Sequence, residues 1–184
     1  MILPIYIYGH PVLRKSCQDI DCNYNKLNIL IDDMFETMNN ANGIGLSAPQ
    51  IGLSINLFVI DLMPYAEEDP SIPKVKQVFI NPKILEELGE IKTHNEGCLS
   101  IPDIRDDVSR KSIIKVEYLD QYFNKHVVQI EGLFARVFQH EYDHLNATLF
   151  IDHLSPMKKN ILNRKLKNIL KGKFNELYPT VLKK

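Results

Sequence analysis

The pentapeptide His140-Glu141-Tyr142-Asp143-His144 limits the possible folds of this chain more than any other feature. Residues four apart lie one above the other on the same face of an α-helix. His140 and His144 can therefore bind one metal ion only if this stretch is helical and its histidine face turns towards further ligands. The surrounding segment is largely apolar, and buried histidines need polar partners, which a metal supplies. The alternative is that these side chains merely decorate the surface of a helix.

Glu141 lies beside the histidine face, close enough to contact a water molecule at the ion without binding the ion itself. A bound divalent cation lowers the pKa of water from about 15.7 to about 7. A carboxylate in this position can accept the proton and return it later in the reaction. The pattern therefore predicts a hydrolase.

Two histidines leave a metal ion short of ligands, since catalytic sites usually have three protein ligands and an open position. Downstream candidates are Asp152, His153 and Glu176, while the upstream candidate is Cys98. A thiolate with two imidazoles suits Zn²⁺, Fe²⁺, Co²⁺ or Ni²⁺. A single cysteine is also commonly a small buried hydrophobic residue. From the residues alone, the third ligand stays open.

Hydrophobic periodicity predicts an α+β fold. We expect mostly antiparallel strands packed around a central helix that carries the HExxH motif, with a further helix near the C-terminus. The predicted helices cover 27–38, 132–145 and 156–171. The predicted strands cover 56–61, 77–81, 112–119 and 125–130, and residues 63–74, with three prolines and three acids, are expected to form an exposed loop.

The length of 184 residues and the 45% hydrophobic content favour one domain, 1–184, with a core that needs no metal for folding. From about residue 155 the chain becomes a basic helical extension with nine Lys or Arg and one acid. Such a segment suits contact with a polyanion such as a ribosome, or is a solvated helix face. Three cysteines, the absence of a secretory signal and the absence of a long apolar run predict a cytoplasmic protein that does not enter a membrane.

Three separated motifs, GIGLSAPQ at 43–50, EGCLS at 96–100 and QHEYDH at 139–144, resemble the signature segments of the peptide deformylases. HPVLR at 10–14 is similar to the opening of that family. The resemblance covers nearly the whole chain. It implies hydrolysis of a linear amide, in which the formyl group of N-terminal formyl-methionine is removed from nascent polypeptides as formate.

The resemblance also implies roles for individual residues. Cys98, His140 and His144 would hold one divalent ion, typically Fe²⁺ and replaceable by Zn²⁺, Ni²⁺ or Co²⁺. Glu141 would act as base and then as acid. The Gln50 side-chain amide and the Leu99 backbone N–H would donate to the negative oxygen of the tetrahedral intermediate.

The same resemblance implies contacts with the substrate peptide from Ile44, Gly45 and Gly97. It implies a bracing ion pair between Glu96 and Arg110, and a weaker case for Arg105 as a substrate contact, for which surface salt bridging is an equal alternative. His94 and Arg136 depart from the family pattern, because apolar residues often line the methionine pocket at these positions. Ribosome contact through the basic C-terminal helix is a further hypothesis.

Two other functions compete with this interpretation. HExxH alone is equally compatible with a metallopeptidase, but GIGLSAPQ and EGCLS argue against that class. A non-catalytic metal-binding module is the second alternative. It would need neither Glu141 nor Gln50, and both are present.

Overall fold

The structure is a computed structural model that describes residues 1–183. It confirms the α+β fold. A five-stranded antiparallel sheet has the order β2-β3-β4-β5-β6, and a separate parallel pair joins β1 to β7. The strands are β1 (Ile5–Tyr6), β2 (Gly45–Ser47), β3 (Leu57–Asp61), β4 (Lys76–Cys98), β5 (Ile101–Leu119), β6 (Lys125–Glu131) and β7 (Thr180–Val181).

The three predicted helices are confirmed. The α-helices of the described chain are α1 (Leu27–Asn40), α2 (Met63–Glu68), α3 (Gly132–Leu145) and α4 (Pro156–Leu170). Short 3-10 helices cover Pro11–Arg14, Ala48–Ile51 and Phe150–His153. Helix α4 begins with a Ser155 side chain that accepts a hydrogen bond from the Lys158 N–H, and Pro156 fits the first turn because no N–H is needed there. None of these helices is long and apolar enough to cross a membrane.

The predicted lengths of two strands were wrong. Strand β4 continues from the predicted 77–81 as far as Cys98, and β5 begins at Ile101 rather than at residue 112. The extra residues of β4 are mostly exposed and lack the alternation of a half-buried strand, because β5 alone pairs with them. Register shifts, one of them at Gly89 with φ +70°, bend this hairpin.

The predicted loop over 63–74 was also partly wrong, since its first half forms helix α2. Pro64 lies in the first turn of the helix, where proline is favoured, and Asp61 Oδ1 accepts a hydrogen bond from the Met63 N–H at 3.0 Å. Ala66 is buried beneath this turn. The prolines and acids of this segment predicted a loop, and the single buried residue Ala66 was too weak a signal to predict the helix.

Helix α3 lies at the centre of the molecule, against β2, β3, β5 and β6. Its fully buried Phe138 meets Phe58 and Phe79 edge to face, with ring centroids 5.0 and 5.1 Å apart. Aromatic pairs of this kind add about 0.5–1.5 kcal/mol beyond the burial of their area. The apolar face of α3 therefore anchors the helix, and its opposite face carries His140 and His144.

Candidate active site

Helix α3 places His140, Glu141 and His144 in the interior, and β4 ends with Cys98 beside them. The Cys98 Sγ lies 3.3 Å from His144 Nε2. One ligand atom from each of Cys98, His140 and His144 lies within 4.8 Å of the other two, so the three residues form a group that could hold a metal ion. Glu141 is 3% exposed.

The three downstream candidates for a third ligand are engaged elsewhere. The His153 Nε2 lies 2.8 Å from Asp143 Oδ2, Asp152 pairs with Arg14, and the Glu176 carboxylate accepts from Thr180. Within the described residues, the only group of His, Cys, Asp and Glu ligand atoms with a geometry suited to a metal contains Cys98. The structure thus supports the upstream candidate.

The donor set fits a metal ion by its protonation as well. Burial lowers the pKa of His144 and keeps its ring neutral. Burial would also lower the pKa of His140, but hydrogen bonds with Cys98 and Glu96 outweigh this and raise it. Ligands must lose their protons to bind a metal, so a cation bound here would displace the proton that His140 holds.

Glu96 links the cysteine strand to the histidine helix. Its carboxylate lies 3.0 Å from His140 Nδ1 and accepts a bidentate pair from Arg110 at 2.7 and 3.0 Å. Arg136 donates a further hydrogen bond at 2.8 Å. Burial alone would raise the pKa of Glu96, but the hydrogen bonds from His140 and Arg110 hold it well below its usual range. The ion pair between Glu96 and Arg110 is present as expected.

The environment of Glu141 is the opposite of that of Glu96. Burial raises the pKa of Glu141 to about 7, and the positive charge of His140 offsets only part of this effect. Among the described side chains, Glu141 Oε2 is a buried oxygen atom without a hydrogen-bond partner. A carboxyl group with a pKa near neutrality and a free oxygen is suited to exchanging protons with a reactant.

Gln50 has its side-chain amide oriented towards the cysteine. The Oε1 atom accepts hydrogen bonds from the Ser47 N–H and hydroxyl, both at 2.9 Å, and Nε2 lies 3.5 Å from Cys98 Sγ. Because Ser47 supplies two donors to the oxygen, the amide NH₂ must face the site. Leu99 follows Cys98 directly in the turn between β4 and β5.

A cavity of about 660 Å³ opens onto this group. Its lining includes residues 41–45, Gln50, residues 94–99, residues 101–105, part of helix α3 and three residues near the C-terminus. Cavities of this size suit small ligands or a short peptide segment. His94 and Arg136 both line the cavity, although Arg136 is mostly buried and is held by Glu96 and by the Val108 carbonyl.

The predicted substrate contacts lie along this cavity. Ile44 precedes β2, the edge strand of the sheet, and Gly45 begins it. A Cβ on Gly45 would lie 2.9 Å from the Cγ and Cδ atoms of Glu141, so only glycine lets the strand approach that carboxylate. Gly97 lies beneath Arg105, which donates hydrogen bonds to the side chain and the carbonyl of Asn95 rather than to a carboxylate.

The sequence did not reveal several residues around the site. Asp143 accepts hydrogen bonds from Arg110 and contacts His153, and Arg136 reinforces Glu96. Asp143 lies within the HEYDH motif and could have been suspected from that position. Arg136 looked only like a departure from an apolar pattern. Tyr178, close to the C-terminus, gave no signal at all.

A buried group of one cysteine and two histidines, next to a glutamate with one unpartnered oxygen and open to a cavity, is typical of a metal-dependent hydrolase. The family model described as polypeptide deformylase matches residues 2–160. The chain therefore belongs to the polypeptide deformylase family. It is a metal-dependent hydrolase acting on formyl-peptides, and the family removes the N-formyl group from nascent peptides.

Individual relatives agree with this assignment. A peptide deformylase from Christiangramia forsetii is 51% identical over 185 residues, which cover 97% of this chain and 94% of the relative. One from Flavobacterium psychrophilum is 48% identical over 180 residues, covering 94% and 93%. The crystal structure of a peptide deformylase from Legionella pneumophila has a TM-score of 0.81 at 38% identity, covering 93% of this chain and 96% of that one.

Replacing Glu96 with Gln tests the importance of the buried charge. The amide NH₂ would face Arg110 or His140 in place of an acceptor. Arg136 would lose its counter-charge, and Arg110 would keep only Asp143. We expect the free energy of unfolding to fall by about 3–5 kcal/mol, as measured by urea denaturation at one fixed metal concentration.

Glu86→Gln is the matched control, since Glu86 lies on the same strand and pairs with Lys115 at 3.1 Å in an exposed position. It should cost less than about 1 kcal/mol. Equal losses in the two variants would show that the Glu96 network adds nothing beyond an ordinary surface pair.

Proposed function

We propose that Cys98, His140 and His144 hold the ion, that Glu141 transfers the proton, and that Gln50 and the Leu99 N–H stabilise the oxyanion. The observation that carries this proposal is the free, buried oxygen of Glu141 beside the three ligand residues. The bound ion would supply Lewis-acid activation of a water molecule. Side chains and backbone groups of this chain would transfer the proton, stabilise the oxyanion and bind the peptide.

The proton transfer follows from the pKa of Glu141. A carboxyl group with a pKa of about 7 is partly ionised near neutral pH, so it can accept a proton from the attacking water. The same group can then return this proton to the nitrogen of the departing amine, as the bond to the formyl carbon breaks. Formate and a free N-terminal amine are the products.

The negative charge that develops on the formyl oxygen needs donors already in place. The Gln50 NH₂ is fixed by the two hydrogen bonds from Ser47 to its carbonyl oxygen, so it loses no freedom during the reaction. The Leu99 N–H is the second proposed donor, because Leu99 follows the ligand residue Cys98 directly. Removing one donor of this kind costs about 2.7–4 kcal/mol in comparable sites.

The peptide would bind as an extra strand beside β2. Edge strands leave backbone groups available for such pairing. The Ile44 carbonyl already accepts from the Asp61 N–H at 3.0 Å, and its second lone pair would serve the substrate. Ile44, Gly45 and Gly97 would then hold the peptide backbone along the cavity, with the formyl group at Glu141.

Glu141→Gln should abolish the proton transfer while leaving the shape of the site intact. We expect formate release from a formyl-Met tripeptide to fall by about 10²–10⁴-fold at equal metal content. Glu131→Gln, which changes an exposed glutamate at the end of β6, should retain normal activity. Full activity of the Glu141 variant would contradict the assigned role.

We also propose Fe²⁺ as the ion, with Zn²⁺, Ni²⁺ and Co²⁺ as functional replacements, because sulfur and imidazole ligands suit all four. Chelation should abolish activity, and anaerobic Fe²⁺ should restore it. The iron form should lose activity in air as Fe²⁺ and the Cys98 thiolate oxidise. Air-stable activity of the iron form would argue against iron.

Substitution of the cysteines tests the ligand set. Cys98→Ser should reduce the bound metal from one equivalent per chain to almost none, measured by elemental analysis after gel filtration. Cys17→Ser is the control, because Cys17 lies outside the ligand group and should leave the metal content unchanged. Normal metal content in the Cys98 variant would remove it from the site.

A cytoplasmic location and contact with ribosomes complete the proposal, since the substrate is a nascent polypeptide. We propose that residues 1–184 act as one domain and that the basic extension from about 155 makes this contact. Arg164, Lys165 and Lys167 are exposed on α4, whereas Lys158 pairs with Asp106. Contacts between basic side chains and phosphates weaken as salt increases.

The double variant Arg164→Glu/Lys167→Glu should abolish co-sedimentation with ribosomes at low salt. The double variant Lys74→Glu/Lys83→Glu makes the same change of charge at exposed sites away from α4 and should retain most of the binding. Equal loss in both, or binding that does not respond to salt, would count against docking through the helix.

A further inference from the structure

The chain returns to the active site after helix α4. Asn175 donates from its backbone N–H and its side chain to the Asp103 carboxylate, at 2.9 and 3.0 Å. Strand β7 then pairs with β1, and the Ile5 N–H donates to the Pro179 carbonyl at 2.8 Å. These two anchors bracket Tyr178 and hold it against the cavity.

The Tyr178 hydroxyl donates a hydrogen bond of 2.7 Å to the carbonyl oxygen of Leu99. The next carbonyl, that of Ser100, accepts from the Tyr8 N–H at 2.8 Å. Both carbonyls of the turn between β4 and β5 are therefore held from outside the hairpin. Burial, together with the nearby Cys98 and Asp103, raises the pKa of Tyr178, so its hydroxyl keeps the proton it donates.

This contact lies beyond the part of the chain that matches the family model, which ends at residue 160. The segment 175–181 is nevertheless attached at both ends to elements of the matched region. Residues 175–177 are exposed, whereas Tyr178, Thr180 and Val181 are partly buried. The tail therefore places the Tyr178 hydroxyl on Leu99, the residue that follows the proposed ligand Cys98.

We infer that Tyr178 is a positioning residue for the deformylation reaction, acting through the Leu99 carbonyl, which belongs to the peptide group next to the one that carries the Leu99 N–H. Its hydroxyl fixes the orientation of the turn, so that the Leu99 N–H keeps its direction towards the developing oxyanion. The inference rests on the proposed role of Leu99 as a donor. A donor that is free to rotate must be reoriented during the reaction, and stabilisation of the transition state is lost.

Tyr178→Phe removes only the hydroxyl group. We expect kcat for a formyl-Met tripeptide to fall by about three- to tenfold, the usual effect of one hydrogen bond. The KM should stay within about twofold, because the interaction acts in the transition state rather than in substrate binding. Hydrogen exchange of the backbone amides in segment 95–101 should become faster.

Thr180→Val is the matched control. It removes the hydrogen bond from Thr180 to Glu176 within the same tail but touches no residue of the site. It should leave kcat and the exchange of segment 95–101 unchanged. An unchanged kcat in Tyr178→Phe, a change confined to KM, or an equal loss in Thr180→Val would overturn the inference.

The Glu141→Gln variant, assayed in parallel, distinguishes a failure of the positioning role of Tyr178 from a failure of the proposed catalytic site. If it is inactive while Tyr178→Phe has normal kcat, the positioning role alone fails. If it remains active, the proposed catalytic assignment fails. The exchange rate of segment 95–101 still decides whether Tyr178 holds the turn, because this measurement does not depend on activity.

Discussion

The buried carboxylate of Glu96 is the interaction on which the rest of the site depends. It lies on β4 and receives hydrogen bonds from Arg110 on β5 and Arg136 on α3, and it contacts His140 on the same helix. A buried charge of this kind is costly unless every oxygen atom is satisfied. Because the carboxylate on β4 has partners on β5 and α3, it ties three elements together and fixes the position of Cys98 relative to the histidines.

The site separates two glutamates by their surroundings. Glu96 is surrounded by cationic donors and remains ionised, whereas Glu141, one residue from His140, lies in a space that desolvates it. Groups of the same chemistry thus differ in charge, which suits one to orient its neighbours as an anion and the other to the proposed exchange of protons. Gly45 lies close to the Glu141 carboxylate, and a side chain there would displace it.

The C-terminal segment adds a second level of support. The turn that carries Leu99 closes the hairpin of β4 and β5, and β4 is exposed over much of its length but buried at Glu96. Hydrogen bonds from the Tyr8 N–H and the Tyr178 hydroxyl hold the two carbonyls of this turn, and they come from segments near opposite ends of the described chain. The parallel pairing of β1 with β7 brings these two segments of the described chain together beside the turn that carries Leu99.

The sequence by itself determined the helices, because apolar residues at helical spacing define a buried face without reference to the rest of the chain. It also placed His140, Glu141 and His144 together, since their spacing is local, and three motifs indicated the family. The family resemblance had implied Cys98 as the partner of the two histidines, and the tertiary structure brings it beside them. Only the tertiary structure showed that β4 runs on to Cys98, that Arg136 contacts Glu96 and that Tyr178 contacts Leu99. These contacts join residues distant in sequence, and their geometry arises from the packing of separate elements, which no local pattern encodes.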